Sequence, residues 1–424
     1  VAPTPLALTA ADGAMLDRLD RVREEMVTRA IGWCAINSGS RNLAGLAEMA
    51  GPIGAAMARL PGTLETIALA ATEEVAADGQ VHAAANGAAL RLRVRPDAPV
   101  QVALTGHYDT VYPAEAGFRA VAARADGALN GPGIADMKGG ISVMLAALDA
   151  FETHPAAARI GYTVLLSPDE ETGSLASAPL LAALGAAAHV GMTYEPALAD
   201  GTLVSGRKGS GNFHVRIAGR AAHAGRDFAS GRNAIAAAAR IADALDRLNG
   251  RREGVTVNVA RIDGGGPLNI VPDAAVVRFN ARLPDAAAEA WLTAAIDDAL
   301  AAGRQEGIDC ALHGGITRKP KPFVPAQQRL FAAVRATGAL IDQDLRWAPS
   351  GGVCEGNNLF AAGLPGIDTL GVRGGDIHST REFAWPDSFV ERARLSALLL
   401  AKLADGTIDA PAIRQELAGS DAQG

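Results

Sequence analysis

The chain has 424 residues, more than one hydrophobic core usually organises, so two domains are expected. Nearly half of the residues are apolar and a fifth are charged, which excludes a disordered chain, and a net charge of -7 without a long basic run gives no footprint for nucleic acid or an anionic membrane. Cys34, Cys310 and Cys354 are widely spaced and form no C-x-x-C pair, which excludes a disulfide framework and a thiolate zinc site.

In chain order, apolar spacing of the helical kind predicts a helix over residues 15–37 and another over 43–59. Strand-like runs at 90–94 and 100–104 then alternate with other elements: a helix at 139–151, a strand at 162–166, a helix at 177–184, short strands at 190–193 and 202–205. Such alternation predicts an α/β domain with helices on a mixed, mostly parallel sheet. From 209 to 315 the order becomes strand 212–218, helix 233–248, strands 255–262 and 275–283, helix 286–302 and strand 309–313, a βαββαβ unit. After Pro320-Lys321-Pro322 the earlier pattern resumes with a helix at 327–337, a buried strand at 366–372 and a final helix at 387–403. Residues 1–208 and 316–424 are thus expected to form one domain into which 209–315 is inserted, with a disordered polar tail beyond about Ala418.

No apolar run approaches the roughly 20 residues that span a bilayer. Residues 1–15 lack the basic start and apolar core of a signal peptide, so a cytoplasmic protein is expected, or a periplasmic one if a leader before Val1 was removed.

The chemistry gathers at strand ends. Thr105-Gly106-His107-Tyr108-Asp109-Thr110 follows the apolar run 102–104, where ligands collect in open α/β sheets. Side-chain alternation points His107 and Asp109 the same way, so that Asp109 can accept from the imidazole and fix its tautomer. Gly131-Pro132-Gly133-Ile134-Ala135-Asp136-Met137-Lys138-Gly139-Gly140 is a glycine-rich approach to a helix that lacks the phosphate-loop order. Asp136 there suits either a metal bridge or a helix N-cap. Ser167-Pro168-Asp169-Glu170-Glu171-Thr172-Gly173 places adjacent glutamates at a strand end, where they need solvent or a cation. With a metal present, one would bind it while the other works as acid and base. Glu195, after the strand 190–193, and His378, in Asp376-Ile377-His378-Ser379-Thr380, complete a set of His107, Asp136, Glu171, Glu195 and His378 that suits zinc. The remaining histidines, His82, His154, His189, His214 and His313, lie in no comparable motif.

With Ala222-His223-Ala224-Gly225 added, these motifs stand in the order found in the M20 family of zinc peptidases and amidases, which the chain resembles from about Met15 to Leu403. The resemblance implies a zinc-dependent exopeptidase-like catalytic domain carrying an inserted ferredoxin-like βαββαβ lid that also mediates dimerisation. It implies two Zn2+ ions, for which Co2+ or Mn2+ could substitute. One takes His107 and Glu195, the other Glu171 and His378, and Asp136 bridges them through a residue whose bond to Met137 is cis. It places Glu170 as general base, Asp109 as the residue orienting His107, and His223, Asn269 and Arg282 of the lid around the substrate. Tyr108-Asp109-Thr110-Val111-Tyr112 and Tyr194-Glu195-Pro196 are similar to the glutamate carboxypeptidase subgroup. Where many members have Gly-Gly-x-Ser/Thr-Asp, this chain has Ser350-Gly351-Gly352-Val353-Cys354-Glu355-Gly356-Asn357-Asn358.

The expected activity is hydrolysis of an amide bond, releasing a C-terminal amino acid such as glutamate from a small peptide or N-acyl amino acid. An N-acyl amino acid deacylase like acetylornithine deacetylase or aminoacylase would use the same groups. A metal-dependent binding protein on a retired hydrolase scaffold should have lost the base or a ligand, and none is missing. The expected partner is a second copy of the chain, joined through the lid, with no nucleic acid and no membrane.

Overall fold

The strand Val100–His107 is the axis of the larger body, and from Val102 onward all of its residues are buried. A strand covered on both faces needs apolar residues in succession, which is how 102–104 read in the sequence. In this computed structural model, which describes residues 6–421, the strand lies between Ile160–Ser167 and Val190–Thr193, parallel to both. Gly366–Ile367 joins parallel to Val190–Thr193, while Ala88–Val94 and Thr63–Ala68 extend the other side antiparallel. The result is a mixed six-stranded sheet.

Its two faces bury different partners. Leu90, Val102, Leu104, Val164 and Leu166 belong to the main core, which includes the helices Lys138–Phe151 and Asp387–Ala404. Their neighbours Ala89, Ala103 and Leu165 point the opposite way, onto Leu181, Leu184 and Leu359 of the helices Ala178–Ala187 and Glu355–Ala361. The parallel strands therefore end between two helical layers, in the crevice where such sheets take ligands.

A second core begins at Phe213 and ends at Leu300. Four antiparallel strands, in the order Thr256–Gly264, Ala274–Leu283, Gly209–Ala218 and Asp309–Arg318, carry the helices Ala234–Asp246 and Ala286–Ala301. This is the ferredoxin-like unit that the βαββαβ pattern predicts. Phe213, Val215, Val277 and Phe279 face the helices, and Phe213 stacks on Phe279 with centroids 4.8 Å apart. The alternate residues, among them Asn212, His214, Arg278, Asn280 and Arg282, turn to the helix-free face.

Several expectations need correction. The helix expected over 15–37 is two, Ala10–Arg21 and Arg23–Cys34, broken at Val22, whose φ of -101° and ψ of 12° leave the helical region. The run 366–372 is strand only at Gly366–Ile367. Beyond it the amides of Leu370 and Gly371 donate to the carbonyls of Thr193 and Glu195, and a Cβ on Gly371 would stand 2.3 Å from the Tyr194 carbonyl oxygen. Close approach of two backbones buries this segment without a ladder. The stretch beyond Ala418 continues the helix Ala410–Asp421, held down by buried Ile413 and Leu417; residues 422–424 of that expected tail lie outside the described residues. The hairpin Thr72–Val75 with Val81–Ala84, which spacing did not reveal, reaches across to the ferredoxin-like unit. No helix among the described residues is long and apolar enough to cross a membrane.

Candidate active site

Asp136 stands between two matching pairs of side chains. Its Oδ1 is 3.1 Å from Nε2 of His107, and that nitrogen is 3.7 Å from Oε1 of Glu195. Its Oδ2 is 3.2 Å from Nε2 of His378, which is 3.2 Å from Oε2 of Glu171. Residues from five separate segments thus form one row, His107 and Glu195 at one end and His378 and Glu171 at the other. Ligand atoms of His107, Asp136 and Glu171 all lie within 4.8 Å of one another.

Local backbone fixes this arrangement. The Asp136–Met137 peptide is cis, as the resemblance implied. Glu382 gathers the loop before it: Oε2 accepts from the Gly133 amide at 3.0 Å, and Oε1 from those of Ala135 and Asp136 at 2.9 and 3.0 Å. The Tyr112 hydroxyl donates to the same carboxylate at 2.7 Å. Asp109 serves both His107 and the paired glutamates. Its Oδ1 is 3.3 Å from Nδ1 of His107, whose other neighbour is the Asp109 carbonyl at 3.1 Å. Its two oxygens also accept from the amides of Glu170 and Glu171 at 3.2 and 3.1 Å, and Ser40 donates to Oδ2 at 2.6 Å. Glu195 is fixed through Tyr194, whose carbonyl meets Gly371 on one side and Gly140 on the other; a Cβ on Gly140 would lie 2.1 Å from that oxygen. His378 has a φ of 61°, in the left-handed region that a non-glycine residue seldom occupies, and its side chain is 52 % exposed, whereas His107, Asp136 and Glu195 are buried and Glu171 is partly so.

The row is an acid–base conflict. Burial pushes Glu171 up to about 8, with the charge on Asp136 adding to the rise. Burial likewise raises Glu195 to about 7. Burial acts upward on Asp136 too, but bonds from His107 and His378 outweigh it and hold the carboxyl below its ordinary range. Hydrogen bonds to Asp136 and Glu171 lift His378 to about 11, and His107 rises despite its burial because Asp109, Asp136 and Glu195 surround it. Protonated imidazoles balance the carboxylates in this set. Divalent cations would take over that role, because they bind neutral imidazole and ionised carboxylate, and the donor chemistry fits a pair of them.

The row opens into a cavity of about 340 Å³. Glu170 lines it, and Oε1 of Glu170 is 2.8 Å from Nη2 of buried Arg318. The same guanidinium donates to the Glu170 carbonyl at 2.9 Å and to the Ser174 hydroxyl at 3.1 Å. Arg282 also lines the cavity, and its Nη1 is buried with no hydrogen-bond partner. On the far wall Arg207 is 2.8 Å from Asp368, which also bonds Lys321. Arg318 and Glu382 were not anticipated. The strand 309–313 in fact runs on through Arg318, and that added length carries the guanidinium to the cavity; nothing in the residues around Glu382 distinguishes it from a surface glutamate.

Not every expected site residue joins the cavity. His223 and Asn269 are exposed residues outside its lining, and His223 Nδ1 accepts from the amides of Gly225 and Arg226 at 3.1 and 3.2 Å. Glu355, in the segment that departs from the Gly-Gly-x-Ser/Thr-Asp pattern, is buried and bonded to Ser167, and burial raises its carboxyl well above the usual range.

Residues 103–402 match the model of peptidase family M20/M25/M40. The chain is 27 % identical over 316 residues to carboxypeptidase G2 of Pseudomonas sp. strain RS-16, spanning 72 % of this chain and 74 % of the relative. It is 30 % identical over 272 residues to succinyl-diaminopimelate desuccinylase of Halorhodospira halophila, spanning 61 % and 70 %. The M20 family metallo-carboxypeptidase Sso-CP2 of Sulfolobus solfataricus has the same fold, with a TM-score of 0.69 over 89 % of this chain and 98 % of that one at 14 % identity.

Proposed function

Because the chain belongs to peptidase family M20/M25/M40, whose members are hydrolases, we propose that it is a two-zinc enzyme releasing a C-terminal amino acid, such as glutamate, from a small peptide or N-acyl amino acid. The observation that carries this reading is Asp136, whose two oxygens each meet a histidine that is itself beside a glutamate. His107 and Glu195 would hold one ion and His378 and Glu171 the other, with Asp136 between them. Two ions bound there supply Lewis acidity, polarising the scissile carbonyl and making water acidic enough to lose a proton near neutral pH.

The chain's own residues do the rest. Glu170 takes the proton from the attacking water and delivers it to the leaving nitrogen. Arg318 anchors Oε1 of Glu170, so the other oxygen is the one that moves the proton. Asp109 keeps His107 in its ligating tautomer and, through the amides of Glu170 and Glu171, sets the base and one ligand in register. Arg282, with an unpaired Nη1, binds the carboxylate of the leaving amino acid. Residues 209–315 serve as a lid through which two copies pair, so that His223, outside the cavity of its own chain, donates to the oxyanion in the other.

A deacylase reading draws on the similarity to a desuccinylase and on Glu355 in the departing segment. A panel of peptides ending in glutamate and of N-acetyl amino acids, given to zinc-loaded protein, tests both. Faster cleavage of the peptides is expected; preference for the N-acetyl series would move the assignment to a deacylase, and no cleavage of either would remove it.

A further inference from the structure

Beside the catalytic cavity lies a larger one of about 790 Å³, and the two share Gly173, Asn212, Asn280 and Thr317 in their linings. Its floor is the helix-free face of the four-stranded sheet. Its roof is the hairpin of the larger body, Thr72–Val75 with Val81–Ala84, pinned to that sheet by Glu73 Oε1 at 2.6 Å from His313 Nδ1.

The charges in this chamber are already matched. Arg278 is 2.9 Å from Asp263 and 3.1 Å from His214 Nδ1, Glu73 meets His313, and Glu74 is 3.6 Å from Arg41. None of them calls for a charged guest. Between them the walls are apolar: Val75, Leu175, Ala178, Ala260 and Ile316. Direction comes from the strand Ala274–Leu283, on which Arg282, Asn280 and Arg278 share one face. At about 3.4 Å per residue, Arg278 stands roughly 14 Å from Arg282. Arg282 and Arg278 therefore mark the two ends of a continuous trough, the first in the catalytic cavity and the second in the chamber.

We propose that this chamber is the acyl-side subsite and takes an extended, uncharged acyl group, so that the preferred substrates are amino acids carrying a long acyl chain rather than acetyl or succinyl. The inference rests on the proposed hydrolysis, with the carboxylate of the leaving amino acid at Arg282. Once that end is fixed, a chain running toward Asn280 and Arg278 enters the chamber. Its apolar walls reward length, since each further methylene that leaves water adds to binding.

Gly315 offers a way to fill the chamber without touching the catalytic groups. It is paired opposite Asn212, so a side chain there shares the face of Asn212, and a Cβ would meet nothing within 4 Å. The test measures kcat/KM of the zinc-loaded protein for N-acetyl-, N-hexanoyl- and N-decanoylglutamate, in the parent, Gly315→Ala and Gly315→Phe. In parallel, calorimetry measures binding of the acetyl and decanoyl compounds to Glu170→Gln protein, with and without Gly315→Phe. The parent is expected to prefer decanoyl over acetyl at least tenfold in both measurements. Gly315→Phe should cancel that preference while leaving N-acetylglutamate within about twofold, and Gly315→Ala should retain it. Equal rates and affinities across the series, or a decanoyl preference that survives Gly315→Phe, would overturn the inference even though hydrolysis occurs. Tighter decanoyl binding lost in Gly315→Phe without hydrolysis of any compound would uphold the chamber and sink the proposed reaction instead.

Discussion

Along Val100–His107 the chain is buried from Val102 onward, and the ionisable groups of the site begin where the strand stops. Along Ala274–Leu283, buried Val277, Phe279 and Ala281 alternate with the partly exposed Arg278, Asn280 and Arg282. The six-stranded sheet thus spends both faces on packing and keeps its polar chemistry for its ends. The four-stranded sheet packs one face on its helices and presents Arg278, Asn280 and Arg282 in a row on the other. A strand end locked between two helical layers holds a side chain in one position, which reacting groups require. A sheet face presents side chains in a row, which suits the recognition of an extended molecule.

Four experiments bear on that division of labour. The largest effect is expected at a strand end: Glu170→Gln should lower turnover by about a thousandfold while metal analysis still finds two ions per chain, because the amide keeps the shape and cannot take the proton. Activity within about tenfold of the parent would mean that the base lies elsewhere. Next comes the packed interior. Asp368→Asn leaves Arg207 and Lys321 buried beside a neutral amide and should cost about 3 kcal/mol in denaturant unfolding near neutral pH. Burial opposes ionisation of Asp368, but Lys321 and Arg207 prevail and hold its carboxyl below the ordinary value of 3.8. A depressed folded pKa gives stability that is present above the unfolded value and lost as pH falls through the folded one. The gap between parent and variant should therefore narrow below about pH 4; a gap independent of pH would assign the loss to packing.

The lid should respond more mildly. Inactive His223→Ala and Glu170→Gln proteins, dissociated and reassociated together, should recover about a quarter of parental activity, since statistically half the dimers are crossed and each carries one intact site. Verified heterodimers without recovery would place His223 outside catalysis or within its own chain. The smallest effect is expected on the open face itself: Arg282→Gln should raise KM about tenfold, roughly 1.4 kcal/mol, with kcat little changed. A fall in kcat at constant KM would instead make Arg282 part of the reacting site.

The same contrast explains what the sequence made legible. Strand ends of a parallel sheet carry compact motifs, and His107 with Asp109, Asp136, and the Glu170-Glu171 pair could each be read from a few neighbouring residues. The βαββαβ order could be read because the strand 212–218 alternates cleanly and strands and helices then follow one another in turn. Arg318 and Glu382 escaped because their roles depend on partners far along the chain: Arg318 meets Glu170 across 148 positions, and Glu382 meets Asp136 across 246. The end of the run 366–372 was misread because burial by backbone contact and burial in a ladder leave the same apolar composition. The hairpin at 72–84 was missed because its burial pattern is largely exposed and offers no apolar alternation.

The carbonyl of Tyr194 lies against two glycines, Gly140 and Gly371, which are 231 positions apart in the chain, whereas the Cβ position of Gly315 opens on empty space. Any single replacement of either glycine beside Tyr194 drives a methyl group into a carbonyl oxygen and displaces Glu195 with it. Relief would need simultaneous changes in two distant segments, a path that stepwise mutation rarely finds. At Gly315 a first side-chain carbon meets no neighbour, so replacements can be tried one at a time. Within this one molecule, the machinery at the strand ends is closed to gradual change, and the open face of the lid is where new substrates can be reached in small steps.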